Sequence, residues 1–132
     1  MTTLTVRRLL IDLDAPFERR WNGGDAFRTA FFNALSMSFP AGEQFLIDAV
    51  RAGATTLPPE RRQRFAAEVQ GFIGQEATHR RIHALFNAHL ARTGAPNDIE
   101  QRALRRLAAN AHRDPRVHVA AGVTGWIALV AI

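Results

Sequence analysis

Phe72-Ile73-Gly74-Gln75-Glu76-Ala77-Thr78-His79-Arg80-Arg81-Ile82-His83-Ala84-Leu85-Phe86 sets apolar residues at helical spacing and places ionisable ones among them. A helix turns about 100° per residue. On that wheel Glu76, His79 and His83 fall within roughly 60° of one another. Phe65, Val69, Phe72, Phe86 and Leu90 lie on the same stripe. Three ionisable groups therefore occupy the face that a helical protein would bury. Burying an uncompensated charge there is costly. A metal ion is the compensation that suits Glu and His together. Glu-x-x-His is the spacing that carboxylate-bridged metal sites use on bundle helices.

Upstream, Asn22-Gly23-Gly24 breaks the chain and Asp25 is a good N-cap, so a helix is expected from Ala26. Its apolar positions are Phe27, Phe31, Phe32, Leu35, Phe39, Leu46, Ile47 and Val50. Pro40 predicts a kink or two abutting helices. Glu43 shares its face with Phe32, Phe39, Leu46, Ile47 and Val50, a second carboxylate on an apolar stripe. The helix should close near Arg51-Ala52-Gly53. Pro58-Pro59-Glu60 opens the next helix, expected to run unbroken from Glu60 to Arg92 and to end at Thr93-Gly94-Ala95-Pro96. Asn97, with Glu100 three residues on, caps a further helix whose thin stripe is Ile99, Ala103, Leu107 and Ala111.

These elements make an all-α chain of about three helices. Residues 1–24 form an N-terminal arm, with a short strand or extended stretch near its start. Residues 25–112 form a helical metal-binding region. Residues 113–132 form an atypical tail with Asp114 as its only acid and no clear period. The 132 residues give room for about one domain. There are no cysteines, which excludes disulfides, thiolate zinc sites and a cysteine nucleophile, so any metal must take N and O ligands. All 17 basic residues are arginine, and the formal charge is +5. The arginines are dispersed beside acids without interleaved aromatics, so nucleic acid is not an expected partner. Residues 1–17 hold no signal-like apolar run, so a cytoplasmic protein is expected. The apolar run Val117–Ile132 is shorter than the roughly 20 residues of a spanning helix, so no membrane partner is expected.

Glu43 on one helix and Glu76-x-x-His79 on the next make half of a di-metal carboxylate set. A full set takes a Glu from each of two helices and Glu-x-x-His from each of the other two. Iron, manganese and zinc all suit these ligands, and both hydrolytic and redox chemistry remain open. His83 is a third candidate ligand on the quoted helix, an orienting partner, or a catalytic proton carrier. His89 falls on the opposite side of the wheel and reads as a surface residue; His112 and His118 have no partners at helical spacing. The plainer alternative is a structural polar cluster in which Glu76 pairs with Arg80 at (i, i+4).

Asn33-Ala34-Leu35-Ser36-Met37-Ser38-Phe39-Pro40-Ala41-Gly42-Glu43, with Phe45 and Val50-Arg51, resembles the signature of the bacterial family named predicted metal-dependent hydrolases. Gln75-Glu76, His79, His83, Phe86 and Asn87 continue the likeness, and Trp21 fits upstream. The likeness spans roughly residues 15–96. It implies a ferritin-like helical bundle, with Glu43, Glu76 and His79 as metal ligands and His83 as a possible fourth. It also implies a longer protein whose later helices bring further Glu and His ligands. Two expectations follow. The chain is an incomplete or frame-shifted bundle, or a second copy completes the site as a homodimer. The first reading is a hydrolase acting on a small-molecule substrate of unspecified class. The alternatives are a di-iron-type oxidoreductase and a non-enzymatic helical interaction module.

Overall fold

The computed structural model describes residues 5–6, 12–95 and 97–109. Within them are four helices: α1 (Ala26–Thr55), α2 (Pro59–Arg64), α3 (Ala66–Arg92) and α4 (Asp98–Ala109). There is no strand among the described residues, and the fold is an all-α bundle. The long helices α1 and α3 pack on each other, α4 lies on α1, and α2 touches α3. Most of the N-terminal arm's first eleven residues, His112, His118 and the tail 113–132 lie outside the described residues.

Helix α1 starts where the cap chemistry places it. The Asp25 carboxylate accepts from the Arg28 N–H at 2.8 Å, taking up one of the donors left free in a first turn. The helix then runs for 30 residues as one element that includes Pro40. Proline has no N–H, so the Ser36 carbonyl one turn earlier lacks its helical donor. The Asn87 side-chain amide on α3 supplies one instead, Nδ2 donating to the Ser36 carbonyl at 3.0 Å. The freed group thereby becomes a bond between the two main helices. At its far end α1 outlasts the expected Gly53 by two residues. The Thr55 and Thr56 hydroxyls donate to the Ala52 and Gly53 carbonyls at 2.7 and 2.8 Å, taking up acceptors that would otherwise end the helix.

The expected unbroken helix from Glu60 to Arg92 is instead two. Phe65 sits at φ −97° and ψ 5° between α2 and α3. The turn frees α2 to lean on the end of α1, where Arg62 donates to the Thr55 and Leu57 carbonyls at 3.0 and 3.2 Å. Gly94, at φ +83°, follows the α3 terminus as expected. The predicted cap of α4 is also present: Glu100 N–H donates to Asn97 Oδ1 at 3.2 Å, and Asn97 Nδ2 donates to Glu100 Oε2 at 2.6 Å.

Among the described residues the buried apolar side chains are Met37, Ala41, Ile47, Ala49 and Leu90. Polar side chains share the interior with them, namely Thr29, Ser36, Glu43, Glu76, Asn87 and His89. Several phenylalanines expected on buried stripes are at the surface. Phe27, Phe31 and Phe32 are 79%, 50% and 44% exposed, and Phe65 is 40% exposed. Helix α1 has a neighbour on only part of its circumference, and its first turns carry more apolar side chains than α3 and α4 cover.

Candidate metal centre

Glu43 and Glu76 face each other across the α1–α3 seam. They are 3% and 6% exposed. His79 joins them, and one ligand atom from each of the three lies within 4.8 Å of the others. The Glu43 and Glu76 Oε2 atoms are buried without a hydrogen-bond partner. Burial and the charge of Glu76 raise the Glu43 carboxyl from 4.5 to about 7, against the opposing pull of Arg80. Burial also raises Glu76, partly offset by His79. Two buried carboxylates with idle oxygens are an unfavourable arrangement unless a cation or a proton is shared between them. Carboxylate oxygens and an imidazole nitrogen are the donors that divalent iron, manganese or zinc take. The residues thus fit such an ion.

Arg80 does not neutralise Glu76 as an (i, i+4) partner. Its guanidinium donates to the Gln44 side-chain oxygen on α1. The plainer reading of Glu76 as half of a surface ion pair therefore lacks its partner. Gln75 reaches the His79 ring, 2.6 Å from Nε2.

His83 lies beside this cluster. Its Nε2 is 4.0 Å from Glu43 Oε1. Its Nδ1 is 2.9 Å from Ser36 Oγ. The hydrogen-bond network assigns the ring's proton. Asn87 donates from Nδ2 to the Ser36 carbonyl, so its Oδ1 is the atom 2.9 Å from Ser36 Oγ, and the hydroxyl donates to it. A serine hydroxyl has one hydrogen. Ser36 Oγ is therefore left as an acceptor for His83, whose proton is on Nδ1. The Nε2 lone pair then faces the Glu43 side. Burial and the nearby His79 lower the pKa of His83, favouring this neutral form. Phe39 holds the ring from another side, centroids 4.5 Å apart. The chain of support runs from Pro40 to the Ser36 carbonyl, to Asn87, to the Ser36 hydroxyl and to His83.

His89 corrects the sequence expectation. It is 6% exposed rather than a surface residue. The segment before α1 folds across that side of α3 and stacks Phe17 on the His89 ring, centroids 3.8 Å apart. Phe17 also stacks on Phe86 at 5.4 Å, and Trp21 meets Phe86 edge-on at 5.6 Å. Trp21 is pinned by its Nε1–H to Asn33 Oδ1 at 2.9 Å. Sequence reasoning assigned no role to Ser36 or Asn87. Their positions within the two motif stretches were the available signal, since neither is required by helical periodicity.

The family model described as predicted metal-dependent hydrolase matches residues 5–126. The chain belongs to the predicted metal-dependent hydrolase family. No curated protein and no solved structure matches it. The family match takes in residues 113–126, which composition alone had set apart as a tail. Both motif stretches converge on the α1–α3 seam. Asn33 and Ser36 come from the first, and Glu76, His79, His83, Phe86 and Asn87 from the second. No helix among the described residues is long and apolar enough to cross a membrane.

Proposed function

We propose that the α1–α3 seam binds a divalent cation through Glu43, Glu76 and His79 and that the protein is a hydrolase of small molecules. The carrying observation is the cluster of two buried carboxylates with unpartnered oxygens beside an imidazole. Glu43, Glu76 and His79 would hold the cation, which would supply Lewis-acid chemistry at the seam. Glu43 and Glu76 bind it and give up their raised proton affinity on doing so. His83 lies outside the three-residue cluster, and its Nε2 lone pair accepts the proton of the attacking water. Ser36 and Asn87 keep that lone pair on Nε2. Arg80 and Gln44 brace the rim of the site.

One chain supplies half of a carboxylate-bridged di-metal set, and two copies related by a two-fold axis supply Glu43 and Glu76-x-x-His79 twice. We infer a homodimer on this ground, and a ferritin-like arrangement of the paired helices. The exposed Phe27 and Phe31 of α1 support a further covering surface.

The test is hydrolysis of p-nitrophenyl esters by chelator-treated protein reloaded with zinc, manganese or iron. Turnover should return with metal and vanish in Glu76→Ala. His83→Ala should lower turnover about 100-fold, within the usual contribution of a general base, while keeping the metal content of the wild type. Loss of metal in His83→Ala would make it a ligand instead. Equal turnover with and without metal would refute the proposal.

A further inference from the structure

Beside the cluster, a half-open hollow of about 320 Å³ lies between the helices. Its apolar lining includes Trp21, Phe32, Leu35, Phe39, Ile82 and Phe86. The polar groups that reach it are Ser36, His79 and His83. Two of these three are the imidazoles of the candidate centre. Apolar walls with a few convergent polar groups at one end are the usual make-up of a small-molecule site, and the volume is at the lower end of the roughly 300–1,000 Å³ range of such sites. A larger hollow of about 440 Å³, which includes Thr29, Asn33, Leu90 and Gly94 in its lining, contains none of the cluster residues.

We propose that the hollow beside His79 and His83 binds the hydrocarbon part of the substrate, an aliphatic or aryl chain ending in an ester- or amide-type acyl group that lies at the histidine end. The proposal rests on the metal-hydrolase reading for the chemistry at that end, but not for the apolar walls. The walls offer no charged group and no row of donors for a sugar, a phosphate or a peptide backbone. Water and the acyl group balance the reaction without a further reactant. Water's oxygen bonds the acyl carbon, the bond to the leaving oxygen or nitrogen breaks, and the leaving atom takes the remaining proton. Phe39, packed against the His83 ring, sets the boundary between chain and head group. Trp21, held by Asn33, also lines the hollow.

The experiment titrates 1-butanol, 1-hexanol and 1-octanol, then octanoate, into chelator-treated and zinc-loaded protein. Calorimetry on the full chain is one readout. Trp21 fluorescence in Trp126→Phe, which leaves one tryptophan of two, is the other. The alcohols should bind with or without zinc, and affinity should rise about fourfold per added methylene, the transfer value for a buried CH₂. Octanoate should bind at least tenfold tighter with zinc, because its carboxylate reaches the histidine end. Ile82→Asn should weaken octanol at least tenfold while keeping the wild-type zinc content. Alcohol binding that ignores chain length, or no binding by a folded chain that holds zinc, overturns the proposal. So does octanoate affinity unchanged by bound zinc. Octanol binding by a chain that takes up no zinc would uphold the hydrocarbon site and reject the metal reading alone.

Discussion

At the scale of single residues, the Glu43 carboxyl ties chemistry to stability. Its value is raised from 4.5 to about 7 by burial and by Glu76, so between those pH values the folded chain keeps a proton that the unfolded chain releases. The folded state of metal-free protein is then favoured at the acid end of the window and loses that advantage as pH rises through 7, by on the order of 2 kcal/mol. Thermal melts in chelator should show a larger fall in midpoint from pH 5 to pH 8 in the wild type than in Glu43→Gln, which removes the titrating carboxyl while the lowered His83 shifts stability the other way in both; added zinc should raise the wild-type midpoint most at pH 8, because binding requires the deprotonated carboxylates. The Ser36–Asn87 pair gives a second prediction. Asn87→Leu removes both the donor to the Ser36 carbonyl and the acceptor of its hydroxyl. ¹⁵N spectra of His83 should then lose the pure Nδ1–H pattern, and turnover should fall about tenfold with metal content kept. The acidic and imidazole residues that meet at the seam, Glu43, Glu76 and His79 with His83 beside them, stood out in the sequence as polar groups on apolar stripes. Ser36 and Asn87 did not, because a small polar residue on a helix is unremarkable until its partner across the seam is known. His89 was misread because wheel geometry says nothing of a preceding segment that folds back with Phe17.

Among the helices, the caps at Asp25, Asn97 and Gly94 were readable from local chemistry, and the structure follows them. The breaks were not. Pro40 suggested a kink or two abutting helices; α1 continues across it as one helix, and the carbonyl it strands is satisfied from α3 rather than from within the helix. Phe65 carries no breaking signal, and the turn there follows from where Arg62 must reach. Pro40→Ala tests the first point. The new N–H would compete with Asn87 for the Ser36 carbonyl. The helix gains a bond and loses the strain of an interior proline, while the seam loses one hydrogen bond and the unfolded chain gains freedom. The variant should be about 1 kcal/mol more stable in urea titrations, yet less active, with His83 sampling both tautomers. Asn97→Ala should cost about 1 kcal/mol of stability through loss of the α4 cap.

As a whole molecule, the bundle joins a modest apolar core to a polar interior and leaves the first turns of α1 with exposed phenylalanines. The all-α class was plain from periodicity. The distribution of burial was not, since it depends on which sides of α1 are met by α3 and α4. If two copies complete the site, sedimentation should give a dimer, and Phe27→Asp with Phe31→Asp should yield a monomer that has lost most of its metal. A monomer with full metal content in the wild type would count against that arrangement. The central claim is the cation at Glu43, Glu76 and His79, and elemental mass spectrometry of the purified chain beside Glu43→Ala and Glu76→Ala tests it most directly. The account predicts near-stoichiometric iron, manganese or zinc in the wild type and its loss from both variants. A folded wild-type chain that takes up none of these metals, or variants that keep them, would contradict it.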